Sequence, residues 1–409
     1  MTNATSESLP GSDAGWVQGV LLAVVPAMVV LTVVAVIPII PKLSVVFAST
    51  PNARVLVPMA VVLPTLALAF SSIAAGVLGE RMGRRRLLEI GTALFAATAI
   101  APFWLDSFPL ILVTRAAAGV ALGAMTTSAV ALTGDYFSGA SRQRWLAIQG
   151  VAAAAAGVVT SPIAGALGDI SWRLPFLLLA LGFPLLLALI LLPAHHAINR
   201  EGQHEEEAAE LGAAEPVPWR ALGTIFALAI LGCLIISPPA FELGLVFQEK
   251  KLGTATLTGL ATSVLAAGAV AGALGLGLLR GLSAPSKMAL VFAVGGVGTL
   301  LIAITGEVAP ILVGAVVVGI SEGMMGPVLS IWVLDCTPAL ARGRVIGLYS
   351  TTFYLTRFVS PLIAGWITGR SASTSSSMVY YALASAASVG LIVVLWVRLP
   401  ALLGRPAIS

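Results

Sequence analysis

The sequence contains few charged residues. Asp, Glu, Lys and Arg make up 10% of its 409 residues, well under half of the roughly 25% found in an average soluble protein. This scarcity excludes a soluble globular protein. It also excludes a disordered chain, because disorder requires low hydrophobicity and a high net charge. The apolar residues form continuous blocks and do not alternate with polar ones, so a membrane-spanning barrel of strands is excluded as well.

Cysteine and histidine are scarcer still. Cys233 lies inside one apolar block and Cys336 at the end of another, so they imply no disulfide framework. The three histidines, His195, His196 and His204, lie in one acidic segment, which is either a solvated linker or a metal-binding tract. The apolar blocks contain no histidine and the sequence has no Walker loop. We therefore expect no metal centre, no cofactor, no ATP-driven step and no enzymatic activity.

Apolar residues, by contrast, are abundant. They make up 58% of the chain, and the mean hydropathy is +1.01. A membrane-spanning helix needs about 20 apolar residues, so the chain's total of about 237 suffices for roughly twelve spans. Hydropathy predicts twelve blocks, called spans 1 to 12 below, at 16–37, 55–79, 87–105, 109–133, 145–168, 174–193, 221–247, 257–279, 287–305, 310–334, 345–369 and 378–398. The prediction is an all-α protein embedded in a lipid bilayer.

The longest polar interval divides these spans into two sets of six. We predict an N-terminal bundle at 1–193, a linker at 194–219 and a C-terminal bundle at 220–409. The halves repeat at an offset of about 200 residues, since Asp135 follows span 4 as Asp335 follows span 10. An even number of helices per half gives parallel repeats, related by an axis along the membrane normal. Two such bundles around a midplane cavity provide the physical basis of alternating access.

The distribution of Lys and Arg predicts the orientation. With both termini in the cytoplasm, 14 of the 22 basic residues lie on the cytoplasmic side and 6 on the other, while Arg115 and Arg357 lie inside spans. The eight tryptophans fall at or near span ends, as interfacial residues do. We predict a multi-pass protein of the plasma (inner) membrane with cytoplasmic termini. The net charge of +4 fits basic loops facing anionic lipid, so we expect no nucleic-acid partner.

The loop between spans 2 and 3 carries a distinctive pattern. It contains Gly76, Glu80, Arg81, Gly83 and Arg84, followed by two more arginines. The segment resembles the G-x-x-x-D-R-x-G-R-[RK]-[RK] signature of the major facilitator superfamily, with Glu replacing the usual Asp. The resemblance implies two six-helix bundles that work as a secondary transporter.

The same resemblance implies a conformational lock between the bundles. In the family, the acid and the first arginine after the second glycine join an acid at the end of span 4. These residues are Glu80, Arg84 and Asp135 here, and the acid also faces the positive N-terminal end of span 11. Gly83 is expected to make the turn and Gly76 to permit close helix packing. The alternative is a basic loop that only sets topology.

Two further elements resemble the family's patterns. Span 4 contains an R-x-x-x-G-x-x-x-G element that begins at Arg115, whose glycines form a smooth face for helix contact. Its arginine should face the bundle interior or snorkel to the nearer interface.

Span 5 contains Gly157, Ser161, Pro162 and Gly165. This pattern is similar to a degraded G-x-x-x-G-P-x-x-G-G antiporter motif, in which Ser161 and Ala166 occupy glycine positions. The resemblance implies drug–proton antiport and a pliable, leak-tight helix contact.

Three more charges lie inside spans. Glu322 and Arg357 lie near the middle of spans 10 and 11, so we expect them to pair, because an unpaired charge there costs at least about 2.5 kcal/mol. Glu242 follows the Pro238 and Pro239 break in span 7. The resemblance places spans 1, 4, 7 and 10 around the cavity, and with them Arg115, Glu242 and Glu322. The alternatives are a purely structural ion pair and an interfacial Glu242.

These features together predict a proton-coupled secondary transporter. Span 1 has no ionisable residue, so Glu242 and Glu322 are the principal proton-coupling candidates, with Glu80 and Asp135 as further acids. We expect export of small amphipathic or hydrophobic compounds, driven by the proton gradient and performed by a monomer. The alternatives are proton symport of a small organic anion and, from another class, a membrane enzyme or receptor.

Overall fold

The computed structural model describes residues 16–51, 53–137, 139–191, 217–279, 281–338, 341–370 and 373–394. The predicted linker lies outside the described residues up to position 216, as do its three histidines and both chain termini. The domain boundaries and the cytoplasmic location of the termini therefore remain predictions.

Seven helices precede the linker and seven follow it among the described residues. The first set is α1 (Trp16–Val34), α2 (Ile40–Val46), α3 (Ala53–Met82), α4 (Arg84–Ile100), α5 (Phe108–Tyr136), α6 (Gly139–Ile170) and α7 (Gly182–Leu191). The second set is α8 (Trp219–Ile236), α9 (Pro238–Glu249), α10 (Ala255–Gly275), α11 (Ala284–Ile304), α12 (Val308–Asp335), α13 (Arg342–Arg370) and α14 (Thr374–Val393). A 3₁₀ helix, Leu174–Leu181, leads into α7.

Prolines explain why two spans consist of two helices each. Span 1 is interrupted after α1 by the 3₁₀ turn Ile37–Ile39, which contains Pro38, and continues as α2. Span 7 is interrupted at Ser237, after which Pro238 and Pro239 start α9. Proline suits the first turn of a helix because a backbone N–H at that position would have no intrahelical partner, so nothing is lost when proline lacks it. The broken geometry places the second half of each span near the other bundle.

The twelve predicted spans correspond to helical segments of the structure. Eleven of them are long and apolar enough to cross a membrane within the described residues. The remaining one, α13, has 29 residues but is more polar, since it contains four arginines and several Ser and Thr residues. Large apolar side chains such as Leu187, Leu274 and Leu278 are exposed on the outer surface, as expected of side chains that face lipid.

Small residues allow close packing within the N-terminal half. A Cβ at Gly119 would lie 2.7 Å from Pro64 Cα, and one at Gly123 would lie 2.9 Å from the Leu68 carbonyl oxygen. The two glycines of span 4 therefore bring α5 against α3, as the sequence predicts. The C-terminal half repeats the arrangement where α12 packs on α10.

The two halves meet along α6 and α10, along α3 and α13, and where α2 approaches α9. Asp169, at the end of α6, lies at one membrane-side end of these contacts, and the Gly83 turn lies at the opposite end. We call these ends the Asp169 face and the Gly83 face. The predicted orientation makes the Gly83 face cytoplasmic.

Candidate functional site: a cavity between the halves

A cavity of about 560 Å³ lies between the two halves, toward the Asp169 face. One wall comes from α2 and α3, and the other from α9, α13 and the start of α14. Apolar side chains such as Val61 and Phe241 make up much of the lining. Its polar groups include Glu242, Thr368 and Glu249. The cavity can hold a molecule of drug size, most of which would contact apolar walls.

Glu242 is the buried acid of this cavity. Its side chain belongs to α9, and the residue is 4% exposed. Its carboxylate accepts hydrogen bonds from Thr368 Oγ1 at 2.7 Å and from Ser377 Oγ at 3.3 Å. These donors are neutral hydroxyl groups on α13 and α14. The structure therefore places Glu242 inside the protein rather than at an exposed interfacial position.

Glu322 and Arg357 form the ion pair that their depth predicts. Arg357 Nη2 lies 2.5 Å from Glu322 Oε1 and connects α13 to α12. The guanidinium also lies 5.8 Å from the centre of the Phe353 ring. The Glu322 side chain is 9% exposed, whereas that of Arg357 is 33% exposed. The pairing is confirmed, and a role in transport stays a prediction.

Arg115 faces the interior of its own half, which is one of the two predicted alternatives, but it does not line the cavity as the resemblance implies. It is fully buried, so it does not snorkel. Its Nε donates to the Ala60 carbonyl oxygen at 3.0 Å, and its Nη2 donates to that of Thr32 at 2.5 Å. Neither carbonyl oxygen has a donor within its own helix. The Ala60 carbonyl would accept from the N–H of residue 64, which is a proline, and the Thr32 carbonyl lies in the last turn of α1, where no later helical N–H follows. Arg115 therefore ties three helices together in the core of its own half.

The structure assembles only part of the predicted lock. Arg84 and Asp135 form an ion pair, but both belong to the N-terminal half. Glu80 and Arg81 are exposed. Gly83 has a φ of +90°, as a residue at such a turn requires.

The expectation of close packing at Gly76 is wrong for this conformation. A Cβ there would meet no atom within 4 Å. Among the described residues, Gly76 therefore lies beside open space in this conformation rather than against another helix.

The span 5 motif lies at the contact between the halves. A Cβ at Gly157 would lie 3.6 Å from Ala266 Cβ, and one at Gly165 would lie 2.9 Å from Thr256 Cα, both on α10. Ser161 is fully buried, and the α10 backbone approaches it and Pro162 closely at Gly259. A close, continuous helix contact is what the resemblance implies, while antiport itself is untested by this geometry.

Sequence reasoning missed Asp169, Thr368 and Ser377. Asp169 binds the start of α10, while Thr368 and Ser377 bind Glu242 from other helices. The bonded residues are 86 to 135 positions apart in the chain. One signal was available for Asp169. It lies at the end of span 5, and Thr254 begins a capped helix on the same side of the membrane.

Two pseudo-symmetric six-helix bundles around a cavity define the class of polytopic membrane transporters. The family model described as Major Facilitator Superfamily matches residues 20–304. The chain belongs to this superfamily. The family that the loop between spans 2 and 3 indicates is thereby confirmed.

Similar proteins include a multidrug efflux pump and an inner membrane transport protein. The chain is 35% identical over 130 residues to the multidrug efflux pump LfrA of Mycolicibacterium smegmatis, covering 31% of this chain and 25% of LfrA. It is 26% identical over 321 residues to the inner membrane transport protein YajR of Escherichia coli, covering 74% of this chain and 66% of YajR. The chain thus spans a quarter of the first relative's length and just under two thirds of the second's.

Solved structures show the same fold. A D-xylose-proton symporter has a TM-score of 0.71 at 13% identity, with 94% of this chain and 98% of that chain covered. A bacterial homolog of the human lysosomal transporter Spinster, in an inward-facing and occupied conformation, has a TM-score of 0.70 at 14% identity, with 91% and 95% covered.

Proposed function

We propose that this transporter exports small amphipathic or hydrophobic compounds across the plasma (inner) membrane by proton-coupled alternating access. It works as a monomer with both termini in the cytoplasm. It needs no bound cofactor, because the proton gradient supplies the energy. The observation that carries the proposal is Glu242, a buried carboxyl group whose two hydrogen-bond donors are neutral hydroxyls, on the wall of a cavity between the halves.

A carboxyl group in this setting suits reversible protonation. Burial disfavours the charged form, and hydroxyl groups can serve either form because they both donate and accept. Glu322 differs from Glu242 in that its carboxylate is paired with the Arg357 guanidinium. Glu322 is the second candidate only if the pair opens during the cycle.

The charges of the cavity favour export of neutral or cationic molecules over uptake of an organic anion. Of the described residues that line the cavity, Glu242 and Glu249 are acidic and none is basic. An anion in the cavity would face two carboxyl groups without a compensating cation. The 35% identity to the efflux pump LfrA over 130 residues supports the same direction.

Reconstituted protein in proteoliposomes tests the proposal. A pH gradient is imposed, and cationic, neutral and anionic fluorescent amphiphiles are followed together with an internal pH indicator. Antiport moves the amphiphile and the proton in opposite directions. An amphiphile that accumulates along with proton entry contradicts export and supports symport.

Glu242→Gln identifies the proton carrier in the same assay. The amide cannot exchange a proton, so we expect coupled flux to fall at least about tenfold, equivalent to about 1.4 kcal/mol. The matched control is Glu307→Gln, because Glu307 is an exposed acid at the start of α12. We expect that control to keep full activity. Full coupled flux in Glu242→Gln, combined with its loss in Glu322→Gln, would move the role to Glu322.

A further inference from the structure

Asp169 joins the two halves of the molecule. Its carboxylate accepts hydrogen bonds from the backbone N–H of Ala255 at 2.6 Å and of Thr256 at 2.9 Å, and from Thr256 Oγ1 at 2.5 Å. Asp169 belongs to α6, whereas its partners begin α10 in the other half. Three hydrogen bonds that cross between the halves therefore end on one side chain.

The electrostatics of this position are favourable. The first N–H groups of a helix have no intrahelical partner and carry a partial positive charge. Thr254 Oγ1 accepts from the Leu257 N–H at 3.1 Å, and Asp169 accepts from Ala255 and Thr256. Asp169 thus completes the cap of α10 from outside its own half. When the halves separate at this face, the hydrogen bonds between the carboxylate and these donors break.

Lys42 stabilises the helix end that carries Asp169. Its Nζ donates to the carbonyl oxygens of Gly168 at 2.7 Å and of Asp169 at 2.9 Å. The same Nζ lies 3.8 Å from the Asp169 carboxylate. Lys42 follows α1 in the N-terminal half, so we expect it to stay with Asp169 when the halves move. It orients the acid and does not itself connect the halves.

Small residues pack closely beside Asp169. A Cβ at Gly168 would lie 3.2 Å from Ala255 Cβ, and one at Gly244 on α9 would lie 3.0 Å from Pro41 Cγ. These close contacts flank the carboxylate, whose side chain remains 30% exposed. By contrast, the ion pairs of Arg84, Arg173 and Arg357 each stay within one half.

We propose that Asp169 is the latch of the Asp169 face: its bonds to the first turn of α10 hold this face closed and break when the face opens during the transport cycle. The latch rests on the alternating-access part of the proposed function. It does not depend on which substrate is carried or on proton coupling.

Distances between spin labels in the full-length protein in nanodiscs test the latch. Native Cys233 and Cys336 are first replaced by Ser. Labels at Ser49 and Lys251, which are exposed on opposite halves, report on the Asp169 face.

A second pair of labels, at the exposed Leu146 and Leu282, reports on the Gly83 face. When the Asp169 face opens and the Gly83 face closes, the distance between the first two labels lengthens and the distance between the second two shortens.

Asp169→Asn should raise the ratio of open to closed molecules at the Asp169 face at least about tenfold, because bonds to a charged acceptor are lost. The matched control is Asp106→Asn. Asp106 is an acid on the same face, but its partner Arg173 lies in the same half. Asp106→Asn should leave both distances unchanged. Unchanged distances in Asp169→Asn, or an equal shift in the control, would overturn the latch.

Two further variants keep the latch falsifiable if Asp169→Asn does not fold. Thr256→Val removes one of the three hydrogen bonds and should shift the distances in the same direction by less. Asp169→Glu keeps the charge and should retain most of the closed population. No shift in Thr256→Val overturns the latch. A failed transport assay with the expected shift would instead count against the proposed function alone.

Discussion

The Asp169 face and the Gly83 face differ in how closely the two halves approach each other. At the Asp169 face, α6 and α10 are in contact from Gly157 to Asp169, a length of about 18 Å at 1.5 Å per residue. Ser263 Oγ adds a hydrogen bond to the Val158 carbonyl oxygen at 2.5 Å within this stretch. The boundary is tightly packed and carries a charged cap.

At the opposite ends of the same two helices, the described residues show more open space. A Cβ at Gly150 on α6, or at Gly275 on α10, would meet no atom within 4 Å. Gly76 on α3 is equally open, and Glu80 is exposed. Packing at these positions is therefore looser toward the Gly83 face, which the predicted orientation makes cytoplasmic.

The difference bears on the lock that the resemblance implies, which stays a prediction. A lock between the bundles on the Gly83 face would close only in the opposite conformation. In the present one, Arg84 and Asp135 pair within their own half. The two faces are thus expected to be held alternately, by Asp169 on one side and by the Glu80 region on the other.

The largest effect is expected from a bulky side chain in the packed boundary. Gly259→Val places atoms against the backbone of α6, where a Cβ already would lie 3.1 Å from Pro162 Cα. Overpacking costs about 1–3 kcal/mol, which would open the Asp169 face and reduce transport about tenfold or more. Gly275→Val, on the same helix, meets open space and should change neither.

Spin-label distances and transport rates in proteoliposomes measure both variants. Equal losses in the two would show that valine disturbs α10 itself. The difference in packing between the faces would then explain nothing about function.

The sequence predicts the spans and the Glu322–Arg357 pair because both follow from local rules. A span needs about 20 apolar residues in a row, and the depth of a charge is counted from the ends of its span. The need for a glycine at the turn of position 83 is likewise visible in the loop pattern.

The positions of Arg115, Gly76 and Asp169 could not be predicted in this way. They depend on how each helix is rotated and on which conformation the halves adopt. Part of the answer for Arg115 was present in the sequence, since Pro64 leaves the carbonyl of Ala60 without its helical donor. Asp169 has partners 86 and 87 residues away in the chain, and no spacing rule connects them.

A smaller effect, on stability, is expected from a change at the turn of the Gly83 face. Gly83 has φ +90° and ψ 131°, a region that costs other residues about 1–3 kcal/mol. Space is not limiting, because a Cβ there would meet no atom within 4 Å. Gly83→Ala should therefore lower the melting temperature in detergent through backbone strain alone. Gly76→Ala is the matched control in equally open space, and its helical backbone should tolerate alanine with no loss.

The smallest effect is expected from the Arg84–Asp135 pair. Its side chains are 41% and 20% exposed, and such pairs contribute about 0.2–1 kcal/mol. A double-mutant cycle of Arg84→Gln and Asp135→Asn, measured as unfolding in detergent, should give a coupling in that range that shrinks with added salt. Because this pair does not connect the halves in the present conformation, the spin-label distances at the Asp169 face should not lengthen in any of these variants. A distance shift as large as that of Asp169→Asn would mean that this pair also connects the halves, and the contrast between the two faces would fail.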